Sequence, residues 1–176
     1  MNKVNFRGGV FSWYQNKSGF LKRIIRFVGH LYGIYTADEY VELGRKIQKS
    51  HGLRKSILQI RLRKIGNQRG LMIENFANIG EDLHLPHGLN IIVNPEAIVG
   101  NSVTIYQGVT IGVIHQGPKK GTPLIQDNVT IGPNAVIVGN ITIGHDSIIA
   151  GNSFVNFDIP PFATVIGNPA QIHLKK

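Results

Sequence analysis

The chain has 176 residues, 42% of them hydrophobic and 16% charged, with no cysteine, a net charge of +9 and a mean hydropathy near zero. This is the balance of one soluble globular domain with an appendage; it excludes a disulfide framework and thiolate chemistry, and the lack of any apolar run of about 18 residues predicts no membrane-spanning helix. The charge is unevenly placed, since residues 1–70 carry 15 Lys and Arg against three acids while residues 71–176 carry four against seven.

In chain order, residues 1–11 are charged and lack an apolar stretch ending in a small-residue cleavage site, so they do not read as a signal peptide and a cytoplasmic location is expected. Residues 20–28 and 53–65 space apolar side chains three and four apart among Lys and Arg, which predicts two basic amphipathic helices. Thr36, with Glu39 three residues on, has the form of a helix start. The basic segment 1–70 has three readings. It could cap the following domain and show its cations to water, or meet an anionic membrane surface, at the inner face, or a lipid-linked acceptor. Nucleic-acid binding is the third, but no recognised motif supports it and no such partner is expected.

From Ile73 to Val155 an aliphatic residue returns every six positions: Ile73, Ile79 and Leu85, then Val93, Val99, Ile105 and Ile111, then Ile125, Ile131, Ile137, Ile143, Ile149 and Val155. A second apolar or small residue follows four later, at Ala77, Leu83, Leu89, Ala97, Val103, Val109, Val129, Ala135, Ile141, Ser147 and Ser153, with Gly, Asn and Asp between. Six suits neither helix nor simple strand alternation. It suits a solenoid of short strands and tight corners, whose coils bury their aliphatic row only by stacking. A repeat that only builds a scaffold would carry the same pattern.

The period breaks twice. Between Leu85 and Val93 the step is eight residues, which pushes the chain out at a corner beside His87. An imidazole there could act as general base on a hydroxyl or be an exposed polar residue without a role. Residues 113–122, with Gly117, Pro118, Lys119, Lys120 and Gly121, lack the row and are predicted to be a loop thrown out of the solenoid, with His115 on it. Residues 71–158 are thus expected to form the solenoid, and residues 159–176, with Pro160-Pro161 and Gly167-Asn168-Pro169, to close it and stop the β pattern.

The repeat resembles the hexapeptide-repeat acyltransferases, and the resemblance covers more than half of the chain. It implies a mainly β fold, a left-handed parallel β-helix of triangular section with a short helical N-terminal segment. Since parallel crossovers are right-handed in about 98% of cases, that handedness comes from the resemblance alone. Leu85-Pro86-His87-Gly88, Ile91-Ile92-Val93 and Val103-Thr104-Ile105-Tyr106-Gln107-Gly108-Val109-Thr110-Ile111-Gly112 are similar to the serine acetyltransferase branch and its relatives in capsule and exopolysaccharide gene clusters. That implies His87 as catalytic base, acetyl-CoA as cosubstrate with no metal, and a homotrimer with the loop folded over the site. It also implies a channel for the pantetheine arm near Gly132, Ala135, Ala150 and Gly151. Tyr106 and His115 are candidates for acceptor contact, and His115 for an alternative base.

The serine enzymes have an Asp before the catalytic His and an Arg-His pair before the resumed repeat. The matching positions here are Pro86, Gly121 and Thr122, and Met72 stands where the carboxylate that orients the His would be. Glu74 is the nearest acid that could orient it. Because a desolvated amino acid needs both its charges paired, the expected activity is acetyl transfer to a hydroxyl of a saccharide or polysaccharide precursor. A serine O-acetyltransferase and a catalytically silent, membrane-peripheral scaffold are the alternatives.

Overall fold

Every side chain of the six-residue row is buried, so the period marks the core. In this computed structural model, which describes residues 36–174, the row is distributed over three faces of stacked short strands. The first face is β1 (Met72–Ile73), β2 (Ile92–Val93), β5 (Thr110–Gly112), β8 (Val136–Val138) and β11 (Phe154–Val155). The second is β3 (Ile98–Val99), β6 (Leu124–Ile125) and β9 (Thr142–Ile143). The third is β4 (Thr104–Ile105), β7 (Thr130–Ile131), β10 (Ile148–Ile149) and β12 (Ala163–Ile166), extended by β13 (Gln171–Leu174). Pairing is parallel and keeps the row in line, Ile73 on Val93 on Ile111 on Ile137 on Val155. Among the named strands of the described residues only β12 and β13 pair antiparallel.

Between faces the chain turns through residues with left-handed φ, such as Ser102 (53°), Asn128 (59°), Asn134 (58°), Asp146 (56°) and Asn152 (59°), each just before a second-row residue. Asn and Asp tolerate this conformation because a short polar side chain can bond to nearby backbone. Two second-row expectations are corrected. Ala77 is exposed and Phe76 is buried, because a 3₁₀ turn at Phe76–Asn78 rotates the chain by one residue. Leu89 is exposed and Ile91 is buried, because the two extra residues lie before the turn at Asn90 and leave Ile91 two positions ahead of Val93, as in every regular coil.

A solenoid's first coil leaves its edge carbonyls without partners. Here α1 (Ala37–Gln48) covers that end. Its Arg45 donates to the carbonyls of Phe76 (3.2 Å), Ile79 (2.5 Å) and Gly80, and the Tyr40 hydroxyl accepts the Ile73 N–H at 3.1 Å while lying within 3.3 Å of the carbonyls of Leu71 and Ile73. Burial, the largest cause, raises the Tyr40 pKa, with the nearby Glu74 adding to it. Gly44 leaves room for the Phe76 ring, whose atoms lie about 2.2 Å from where a Cβ would sit. α1 begins one residue after Thr36, as predicted, and Glu39 receives Arg61 of α2 (Gly52–Arg69) at 2.6 Å. Residues 37–70 therefore pack with the solenoid in one unit. The readings of residues 1–11 and 20–28 lie outside the described residues.

The solenoid also runs past residue 158. Ile159 bridges to Ile143, Val165 pairs with Ile149, and both are buried. Pro160 and Pro161 do not end the β pattern; they lie in an ordinary six-residue step from Ile159 to Val165, after a shortened step of four residues from Val155 to Ile159.

Candidate active site

His87 stands on the corner that joins the third face to the first, and three features of the end of α2 fix that corner. Arg69 donates from Nη1 to the carbonyls of His87 (3.3 Å) and Gly88 (3.2 Å), and its own carbonyl accepts the Asn90 N–H at 2.8 Å. Gly70 ends the helix at φ 66°, against the Asn90 side chain. Gly88, at φ 47°, lets the corner meet Ala37, whose Cβ lies 2.2 Å from where a Gly88 Cβ would be. The backbone is thus held while the exposed imidazole has no hydrogen-bond partner among the described residues. Partial burial lowers the Arg69 pKa from its usual value, and Asp38 opposes that shift.

The same corner recurs in each coil below. Tyr106 follows, its ring 6.1 Å from the His87 imidazole and tilted by 51°. Gly108 donates to the Leu89 carbonyl (3.0 Å), Asn134 to that of Gln107 (2.9 Å) and Asn152 to that of Pro133 (2.8 Å), so the coils stack tightly. The structure therefore brings His87, Tyr106, Gly132, Ala135, Ala150 and Gly151 into one corner column.

Their accessibility differs. Ala135 is fully buried with its N–H bound to the Gly132 carbonyl (3.3 Å), so it is core, and its expected place on a ligand channel is corrected. Gly132 is buried and its N–H is bound to Ile149; a Cβ there would lie 2.6 Å from the Gly151 nitrogen, so its smallness serves coil packing. Ala150 is half-buried with its N–H on the Val165 carbonyl (2.8 Å). Gly151 is exposed, and among the described residues its N–H has no partner.

Glu74 and His115 lie on another corner, which joins the first face to the second. Glu74 is exposed beside a groove of about 690 Å³ that also involves Lys55, Arg63, Tyr40 and Phe76, and is not brought to His87. Residues 113–122 form a hairpin closed by paired Ile114 and Gly121 bonds (3.0 and 2.9 Å), with His115 exposed on it. Asn140 donates to the Lys119 carbonyl (2.9 Å), Lys119 Nζ lies 3.4 Å from Asp158 and Thr122 Oγ1 donates to the Glu96 carbonyl (3.2 Å), so the loop is fastened to the coils beside it. Gly121 and Thr122 lie at its base, a full face away from His87 along the chain.

The sequence reading missed Arg69 and Gly70. A terminal cation followed by glycine is a recognisable helix end, but nothing local says that this end braces a corner 18 residues later. It also missed Gln107, whose buried Oε1 has no partner among the described residues.

Residues 122–156 match the family described as bacterial transferase hexapeptide (six repeats), and the architecture is the left-handed parallel β-helix of such transferases. Within that class the likeness is to serine acetyltransferases. The enzyme of Bacillus subtilis is 36% identical over 103 residues, 58% of this chain and 48% of the relative. A serine acetyltransferase solved in complex with CoA superposes with a TM-score of 0.62 at 28% identity, covering 78% of this chain and 55% of that one. The soybean enzyme complexed with serine gives 0.61 at 28%, covering 78% and 56%. The chain spans about half the length of the curated relatives it matches.

Proposed function

We propose that the chain is an acetyl-CoA-dependent O-acetyltransferase with His87 as general base. The observation that carries this is the braced, widened corner presenting His87 at the head of a column of small residues that ends in the unpartnered Gly151 amide. In the reaction, the His87 imidazole takes the proton of the acceptor hydroxyl as its oxygen bonds to the thioester carbonyl carbon. The C–S bond then breaks and the proton passes to the departing CoA sulfur. The pantetheine arm carries amides that need backbone partners, and Gly151 N–H is free to supply one. His87, Tyr106 and Gly151 are thus in reach of one extended ligand along the corner.

A trimer is part of the reading. The first face presents Met72 (53% exposed) over Ile92 (42%), Thr110, Val136 and Phe154, an apolar ladder between the His87 corner and the loop corner. A second copy against this face would cover the ladder and bring one copy's hairpin, with His115, Gly121 and Thr122, towards another's His87.

Two acceptors are supported by different observations. The relatives named above are serine acetyltransferases, and that favours serine. The residues Met72, Pro86, Gly121 and Thr122 favour an acceptor without a paired ammonium and carboxylate, a saccharide hydroxyl, because they offer no charges to neutralise a free amino acid. Thiol release from acetyl-CoA, measured with serine and with a panel of saccharides, separates the two. Release with serine alone overturns the saccharide reading. No release with any acceptor, together with no CoA binding by calorimetry, overturns acetyl transfer and leaves a scaffold.

A further inference from the structure

Two buried side-chain atoms among the described residues have no hydrogen-bond partner, Ser147 Oγ and Gln107 Oε1. Ser147 is a fully buried member of the second row. Gln107 differs, because it stands at the His87 corner and is only half-buried. Its backbone is clamped between coils: its carbonyl accepts the Asn134 N–H at 2.9 Å, and the next residue, Gly108, donates to the Leu89 carbonyl at 3.0 Å. The residue before it, Tyr106, holds its ring 6.1 Å from the His87 imidazole. With Oε1 turned inward, Nε2 is the accessible end of the carboxamide, and no described residue accepts from it. A buried acceptor left unpaired is costly, and an apolar side chain of similar size would avoid that cost. Since the described fold uses neither end of the carboxamide, its outward donors point to a ligand.

Position says which part of the ligand. Attack on a thioester puts negative charge on the carbonyl oxygen, and a general base at the acceptor hydroxyl does nothing for that charge; a hydrogen-bond donor does. Gln107 follows β4, one coil below His87, while the free Gly151 amide follows β10, three coils below. At about 4.8 Å per coil, Gly151 lies roughly 14 Å from the His87 level and cannot meet the reacting carbonyl, whereas Gln107 is a single step away. We propose that Gln107 is a second catalytic residue, its Nε2 donating a hydrogen bond to the thioester carbonyl oxygen. As the acceptor oxygen bonds to the carbonyl carbon, the C=O π pair moves onto that oxygen, where Nε2–H meets it. The pair returns to the carbon as the C–S bond breaks and the CoA sulfur leaves with the proton that His87 took. This role rests on the acetyl-transfer reading and holds for either acceptor.

The test is steady-state thiol release from acetyl-CoA by the full chain, with whichever acceptor wild type uses, on wild type, Gln107→Leu and Gln107→Glu. Gln107→Leu is expected to lower kcat by about 10²–10³-fold, the usual worth of one oxyanion donor. Gln107→Glu keeps the shape but only accepts, so its loss should be at least as large. Two further readouts separate this role from others. Calorimetric affinity for CoA, which lacks the acyl carbonyl, should be unchanged in Gln107→Leu. The urea midpoint of that variant should equal or exceed wild type, because an unpaired buried acceptor has been removed. Near wild-type kcat in either variant overturns the proposal. CoA affinity that falls in step with kcat would make Gln107 a contact to the pantetheine arm, and a loss of stability in both variants would make it a structural part of the corner; either overturns it. Wild type that releases no thiol with any acceptor removes acetyl transfer and this role together, whereas active wild type with equally active variants removes the role of Gln107 alone.

Discussion

Two corners of this solenoid carry an insertion, and they are finished in opposite ways. At the His87 corner two extra residues widen the turn, and α2 braces the backbone from above through Arg69, so the imidazole is presented on a fixed base. At the other corner a longer insertion closes on itself as a hairpin and is pinned from the side by Asn140 and Asp158. The row is undisturbed in both cases, since Leu85, Val93, Ile111 and Ile125 remain buried. The lesson is that corners accept change because they lie outside the aliphatic core, whereas a face cannot. The first corner holds a chemical group still, and the second extends one away from the coil that bears it.

If the difference is functional, His87→Ala should lower thiol release by about 10²–10⁴-fold, the usual worth of a general base. His115→Ala should cost far less, and comparable losses in steady-state assays would break the distinction. Ile131→Ala, in the third face below the His87 corner, should destabilise by about 2–5 kcal/mol, because the side chain is fully buried and the strands above and below cannot close the space. Urea unfolding checks this, and the outcome that counts against a continuous core is a cost near that of an exposed substitution.

Most of the fold was legible because a six-residue period leaves little choice. Once Ile105, Ile131 and Ile149 share a face, the strand pairings follow. The candidate base was legible because His87 adjoins a break in that period. What could not be read was which corner each residue reaches. Glu74 is closer to His87 along the chain than Tyr106 is, yet it turns a different corner, because position around the triangle depends on counting faces and not residues. Ala135 has a ligand-like neighbourhood in sequence but sits in the inward second row. The bracing by Arg69 depends on how α2 docks, which no local pattern specifies.

The brace can be tested sterically. Gly88→Ala should cost about 1–3 kcal/mol, part from a non-glycine residue at positive φ and part from the contact with Ala37. Adding Ala37→Gly removes the atom that the new Cβ meets, so the double variant should recover the second part and not the first. A double-mutant cycle by chemical denaturation measures the coupling. Coupling near zero would mean that α1 does not shape the His87 corner.

The smallest effect belongs to the hairpin's ion pair. Asp158 accepts the Thr142 N–H at 2.8 Å, the largest cause of its lowered pKa; burial opposes that shift, and Lys119 adds to it by smaller amounts. A depressed carboxylate contributes stability above its unfolded pKa and loses it as pH falls through the folded value, so the contribution is complete at neutral pH and disappears below the ordinary 3.8. The side chain is 64% exposed, so solvent screening limits its worth to about 0.5 kcal/mol or less. Asp158→Asn keeps an oxygen for Thr142 and removes the charge. Urea melts should show a small deficit at pH 7 that narrows at acid pH and shrinks in high salt at neutral pH. A deficit independent of both would mean that the hairpin is held by its backbone bonds to Ile114 and Asn140 and that the pair with Lys119 adds nothing.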